Sequence, residues 1–277
     1  MAPWVGSRWA VELWCTPPPV LESSLRLPPG VSPGRPIEAF WDGHRVVGEE
    51  WGGEGPPVYL VHGWGGGQRP HLAMFVKPLV EAGYRVVAFD LPSHNESDPG
   101  ELAPGRTTAT ECADAIAAVI ETHGPAHAVV AHSLGRERDG IGGGAGRAGR
   151  TPGLLRADGR FFRCTSTCSP HAMASAAGSA RAYTVVWKKR IAMPLHETNM
   201  TRLARRADYP PLLLIHDPPD DPDSPYAASQ RLAAAWRGAR LLTTKRLGRL
   251  AHYRVLRHRP PAITAGGVEF IGERADG

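Results

Sequence analysis

A chain of 277 residues, 42% apolar and 21% charged, is long enough to bury a core as one large domain and too apolar for a disordered polymer. No apolar run reaches the ~18 residues that a membrane-crossing helix needs. The net charge of +5 is not spread evenly. Arg136–Arg190 holds eleven basic and three acidic residues, a local +8, so the rest is mildly acidic and charge alone predicts neither a nucleic-acid nor a membrane partner.

Residues 1–35 are Pro-rich (Pro17, Pro18, Pro19, Pro28, Pro29, Pro33) and read as an irregular arm with at most a short helix. Arg8 and Glu12 interrupt any apolar signal-peptide core there. The four cysteines, Cys15, Cys112, Cys164 and Cys168, are scattered. Cys164-x-x-x-Cys168 has no second pair, so neither a zinc site nor a disulfide scaffold is expected, and reduced thiols in a cytoplasmic protein are.

Order begins at Pro36, and residues 36–277 read as a single domain. Ile37–Trp41 and Arg45–Trp51 predict two strands turned at Asp42-Gly43. Pro57–Val61 is a short apolar run between Gly/Pro punctuation, as in a strand buried on both faces. Residues 69–82 carry apolar positions at helical spacing (Leu72, Phe75, Val76, Leu79, Val80), ended by Gly83. Tyr84–Asp90 predicts a strand. Thr108-x-x-Glu111 is a capping box opening a helix through Ile120, and Ala126–His132 a further strand. Near the end, Pro211–His216 and Ala239–Thr244 read as strands, Pro225–Arg237 and Ala262–Arg274 as helices. Alternating strands and helices with short links imply an α/β fold with a mainly parallel sheet and helices on both faces.

The chemistry sits at strand ends. Ala131-His-Ser133-Leu-Gly135 follows a strand directly, and small residues flanking a central Ser permit the tight turn that lifts its hydroxyl from the carboxyl end of a sheet. His62-Gly-Trp64-Gly-Gly66 also follows a strand. Its glycines let the backbone aim N–H groups outward, and the natural pair of donors to an oxyanion is the N–H of Trp64 with that of Leu134.

From Pro57 to Gly135, and again from about Thr201, the chain resembles the α/β-hydrolase fold superfamily, with Tyr84–His94 similar to the family's fourth-strand segment. The resemblance implies a Ser nucleophile, an acid after a later strand and a His in the last loop. In the family the acid stands four positions before a Pro, which selects Asp221, with Asp220 the runner-up. The His is His252, although Ala251 replaces the family's Gly before it. His258 reads as a surface residue, and His62 and His132 as structural or pocket-lining.

One segment departs from the pattern. Seven of the seventeen residues 134–150 are Gly, where the resemblance requires a helix seating Ser133. Beyond Gly135, six glycines cost about 6 kcal/mol relative to Ala. Residues 151–180 offer no apolar run for the next strand. Intact flanks around a Gly/Arg/Ala-rich filler at 136–190 are what a local change of reading frame would leave. A disordered Arg/Gly insert that binds nucleic acid is disfavoured by the lack of aromatic residues before Phe161. A lid is expected within 170–205, with Val185-Val-Trp187 and Ile191–Leu195 lining a pocket.

The expected reaction is hydrolysis of a small-molecule ester or related acyl bond through acyl-Ser133. His252 is the base, Asp221 its partner, and the Trp64 and Leu134 amides the oxyanion hole, with no metal or organic cofactor. Cofactor-free haloperoxidase or lyase chemistry uses the same residues. A catalytically impaired member of the fold is the alternative, because the helix after the nucleophile is disrupted.

Overall fold

A computed structural model describes residues 3–18, 25–64, 69–132, 160–164, 180–191, 200–205, 209–216, 226–244 and 261–273. The chain opens with a helix, α1 (Pro3–Trp14), in the region read as an irregular arm. It then builds β1 (Arg35–Trp41), β2 (His44–Trp51), β3 (Pro57–Val61), α2 (Val76–Glu81), β4 (Arg85–Phe89), α3 (Ala109–His123), β5 (Ala128–His132) and β6 (Arg160–Cys164). After these come α4 (Ala180–Ile191), α5 (Met200–Ala204), β7 (Leu212–His216), α6 (Tyr226–Ala235), β8 (Ala239–Thr243) and α7 (Pro261–Gly272).

The eight strands form one sheet in the order β1-β2-β4-β3-β5-β6-β7-β8. β1 and β2 run antiparallel, as do β2 and β4; every pairing from β4 through β8 is parallel. The β1–β2 hairpin turns at Asp42-Gly43 as expected. Both residues hold positive φ (46° and 83°), which a two-residue turn of matching twist requires and which Asp-Gly tolerates.

Side chains alternate across the parallel strands, and both faces are covered. Tyr59, Val61, Val87 and Phe89 point into one core with Cys112, Ile116 and Val119 of α3 and Leu232 of α6. Val58, Leu60, Val86, Ala88 and Val130 point into the other, against Leu79 of α2 and Ile263 and Phe270 of α7. This is why these strands read as continuous apolar runs. A third cluster lies apart: Ala10, Val11 and Cys15 of the N-terminal region pack with Tyr183 and Trp187 of α4 and with Ala109.

Two expectations are corrected. The helix predicted over 69–82 is a 3-10 segment at Arg69–Phe75, with the α-helix confined to Val76–Glu81. Pro78 has no N–H to give the preceding turn, so the α-helix starts just before it, where that missing donor would be unpaired anyway. The strand judged absent from 151–180 exists as β6, hydrogen-bonded to β5 on one side and β7 on the other. Arg160 and Arg163 flank Phe161-Phe162, so the apolar run was too short to register. The ladder on both sides, rather than hydrophobicity, defines the strand.

Candidate active site

The parallel strands end together. Val61 of β3 pairs with Ala131 of β5, His132 with Cys164 of β6, Cys164 with Ile215 of β7, and His216 with Thr243 of β8. The chain therefore leaves β3, β5, β7 and β8 at one edge of the sheet. In sequence the next residues are His62–Trp64 after β3, Ser133 after β5, Asp217–Asp223 after β7, and the stretch to His252 after β8.

The turn after β3 is braced by His62, which is 1% exposed. Its Nε2 accepts the Leu91 N–H at 2.9 Å, and its Nδ1 lies 2.7 Å from the Gly63 carbonyl oxygen. A backbone N–H can only donate, so Nε2 carries no proton and Nδ1–H donates to Gly63. His62 is thus a neutral strut between this turn and the segment after β4, in keeping with the structural role read from sequence.

The segment after β4 is itself pinned to β2. The Ser97 hydroxyl donates to the Asp90 carbonyl at 2.6 Å and accepts the Val47 N–H at 2.9 Å. The Asp98 carboxylate accepts the Arg45 N–H at 2.7 Å. Ser93 and Asn95 hold positive φ, and Asn95 donates its side-chain amide to Asp90 Oδ2 at 2.9 Å. This scaffold holds the buried His94, whose Nδ1–H donates to the Pro92 carbonyl at 2.9 Å. The His94 ring lies 4.8 Å from that of His62 and edge-on to Trp64 at 5.6 Å. Trp64 in turn stacks on Trp14 of α1. His94 and Trp14 were not singled out by sequence reasoning. The signals available were the His at the end of the Leu91-Pro-Ser-His94 run and the concentration of Trp in α1.

On the far side, His216 ends β7, is buried, and has Nδ1 2.8 Å from the Ser229 hydroxyl of α6. The Tyr226 and Thr243 hydroxyls are 2.6 Å apart, joining the start of α6 to the end of β8. Of the residues expected to act, Trp64 lies at this edge; Ser133, Leu134, Asp221 and its runner-up Asp220, and His252 fall outside the described residues. Among the described residues no group of three His, Cys, Asp or Glu could hold a metal ion.

Residues 58–135 match the model of the Alpha/beta hydrolase family. An enol-lactonase from Burkholderia xenovorans LB400 is similar in structure, with a TM-score of 0.59 at 19% identity over 86% of this chain and 100% of that one. So is an esterase from Pyrococcus furiosus, at 0.61 and 15% identity over 92% and 96%. A thermophilic esterase from Thermogutta terrifontis gives 0.59 and 16% over 85% and 97%. The chain has the α/β-hydrolase fold. No curated protein matches its sequence significantly.

The resemblance read from the residues is therefore borne out at the level of fold. In this α/β-hydrolase sheet the matched stretch runs from the second residue of β3 to just beyond β5, and so spans both glycine-flanked turns. Val185 and Trp187, expected to line a pocket beneath a lid, have separate fates on α4: Trp187 is buried against α1, and Val185 is half-exposed. Residues 192–195 lie outside the described residues.

Proposed function

We propose that the chain is a serine hydrolase cleaving an ester or related acyl bond of a small molecule. Ser133 attacks the acyl carbon while His252 takes its proton. The amides of Trp64 and Leu134 receive the negative charge that develops on the acyl oxygen. His252 then returns the proton to the leaving alcohol, and water releases the acyl group from Ser133 by the same steps in reverse order. Asp221 holds the imidazole in the tautomer that faces Ser133 and stabilises its cationic form.

The observation that carries this reading is the alignment of strand ends. The braced turn bearing Trp64 leaves the sheet beside β5, and Ser133 is the next residue after that strand. The fold's solved neighbours include esterases and an enol-lactonase, which supports acyl-transfer chemistry in this chain. Cys15 and Cys112 are free thiols, in keeping with the reducing cytoplasmic setting proposed here. The test is p-nitrophenyl ester turnover together with labelling by a fluorophosphonate, with Ser133→Ala as control. Wild type is expected to turn over and label, and the variant to do neither; equal rates would overturn the assignment.

A second reading has its own support in the six glycines of 136–149. Their helix-propensity cost approaches the net stability of a domain, so a catalytically impaired protein of the same fold is the alternative. Alanine at Gly140, Gly142, Gly143, Gly144, Gly146 and Gly149 separates the two. If the glycines impair Ser133, that variant gains ester turnover over wild type.

A further inference from the structure

Three indoles from separate parts of the chain form one row. Trp187 of α4 packs on Trp14 of α1 with ring centroids 6.0 Å apart, and Trp14 stacks on Trp64 at 6.4 Å. Trp64 stands in the turn after β3, so the row begins on the helix between β6 and β7 and ends on the proposed oxyanion donor. Tyr183, one turn earlier on α4, packs on Trp187 at 6.0 Å.

The helices that carry the row are held differently. α1 is fixed to the segment before α3: Glu12 pairs with Arg106, and the Cys15 carbonyl accepts the Thr107 N–H at 2.9 Å. Its buried face, Ser7, Ala10 and Val11, forms the seam with α4, where Ala10 and Val11 cluster with Tyr183 and Trp187 apart from the two cores of the sheet. Trp187 is 1% exposed, yet its Nε1–H finds no hydrogen-bond partner among the described residues, and neither does the hydroxyl of the buried Ser7. A buried indole ordinarily pairs its N–H, and leaving it unpaired costs stability. Leu or Phe would fill apolar space without that cost. Packing alone therefore does not account for an indole at 187, whereas its ring contact with Trp14 does.

We propose that Trp187 is a positioning residue for acyl transfer: by bearing on Trp14 it sets how Trp14 rests on Trp64, and thereby where the Trp64 amide stands. The proposal rests on the oxyanion role given to Trp64 above. Trp187 acts through one intermediate ring and not on the reacting atoms. The row thus links α4, in the stretch where a lid is expected, to the turn beside the end of β5, and a substrate that shifts α4 shifts the oxyanion donor with it. The effect belongs in kcat, because a displaced donor is felt in the transition state and not in substrate binding.

The test is turnover of a p-nitrophenyl ester by Trp187→Leu, Trp187→Phe, Trp14→Ala and the combination of Trp187→Leu with Trp14→Ala, each well below its melting temperature. Trp187→Leu is expected to lower kcat about fivefold with KM little changed, and Trp187→Phe, which keeps a ring against Trp14, to restore most of the rate. The double variant should be no slower than Trp14→Ala, because the row is already cut there. A residue that only packs the seam would add its loss to that of Trp14. A second readout needs no turnover. In protein labelled with 5-fluorotryptophan, the fluorine resonance that Trp64→Phe removes should move in Trp187→Leu and return toward its wild-type position in Trp187→Phe. The proposal is overturned if Trp187→Leu leaves kcat unchanged, if the two losses multiply in the double variant, or if the Trp64 resonance stays in place. Should wild type turn over no ester, the proposed function fails, and the fluorine spectra alone decide whether Trp187 bears on Trp64.

Discussion

Trp14 and Trp64 stack with ring centroids 6.4 Å apart and planes 14° from parallel, so the N-terminal helix rests on the turn that follows β3. The contact is secured from both sides. The Thr107 N–H donates to the Cys15 carbonyl at 2.9 Å just beyond α1, and His94 supports the other edge of Trp64. An aromatic stack of this kind adds about 1 kcal/mol to the area it covers.

If the Trp64 amide serves the oxyanion, Trp14 acts on the reaction through position alone. Trp14→Ala is then expected to lower kcat for a p-nitrophenyl ester about tenfold with KM little changed, because a displaced donor costs transition-state stabilisation. Trp14→Phe keeps a ring against Trp64 and should restore most of the rate. A fall in stability with kcat intact would assign Trp14 to packing only.

The His62 strut makes a separate prediction. Removing the ring leaves the Leu91 N–H without its acceptor and opens a cavity beneath the turn. His62→Ala is expected to cost about 3 kcal/mol, read as a lower urea midpoint with an unchanged slope. His62→Gln offers a carbonyl to the same N–H and should recover part of the loss. Equal stability of all three proteins would remove His62 from the scaffold.

How much of this was legible follows from where each signal resides. The Asp42-Gly43 hairpin, the Thr108/Glu111 capping box and the doubly buried strands β3 and β7 depend on local chemistry, and each formed where its residues indicated. β6 did not announce itself, because its partners are 32 and 51 residues away along the chain and its own arginines mask the pattern. The prolines after α1 dominate the composition of residues 1–35, so the sequence there indicates an irregular arm with at most a short helix and not the twelve-residue α1. Its partners, Tyr183 and Trp187, lie in the segment that carries the excess charge. His94 joins the candidate site only through the fold around Asp90, which no spacing rule expresses.

Tyr59 ties β3 to the end of α3, its hydroxyl donating to the Gly124 carbonyl at 2.6 Å. Burial pushes this phenol up to about 12. The unfolded chain ionises Tyr near 10, so the stabilisation is fully present below pH 10 and is lost as pH rises to about 12, by about 2 kcal/mol in all. Tyr59→Phe forfeits the hydrogen bond at neutral pH but has no proton to lose. Thermal melts of both proteins between pH 9 and pH 12 should show the wild-type advantage shrinking across that window; a constant difference would refute the coupling.

Glu50 gives the opposite slope. Its carboxylate accepts from Arg35 and from Arg85, each at 2.9 Å, and Arg85 reaches on to the His123 carbonyl at 2.6 Å, so one acid links β1, β2, β4 and the end of α3. Burial alone would raise its pKa, and the hydrogen bonds and charges of the two arginines outweigh burial and hold it below the usual carboxylate range. The folded value is depressed, so the contribution is present above the unfolded value near 4.3 and disappears as pH falls through the folded one. Glu50→Gln leaves the largely buried Arg85 guanidinium without its counter-charge and is expected to cost about 2 kcal/mol at pH 7. Urea unfolding of wild type and variant at descending pH should bring the two curves together below pH 4. If the gap is the same at pH 7 and in acid, the carboxylate's charge is not what Arg85 requires.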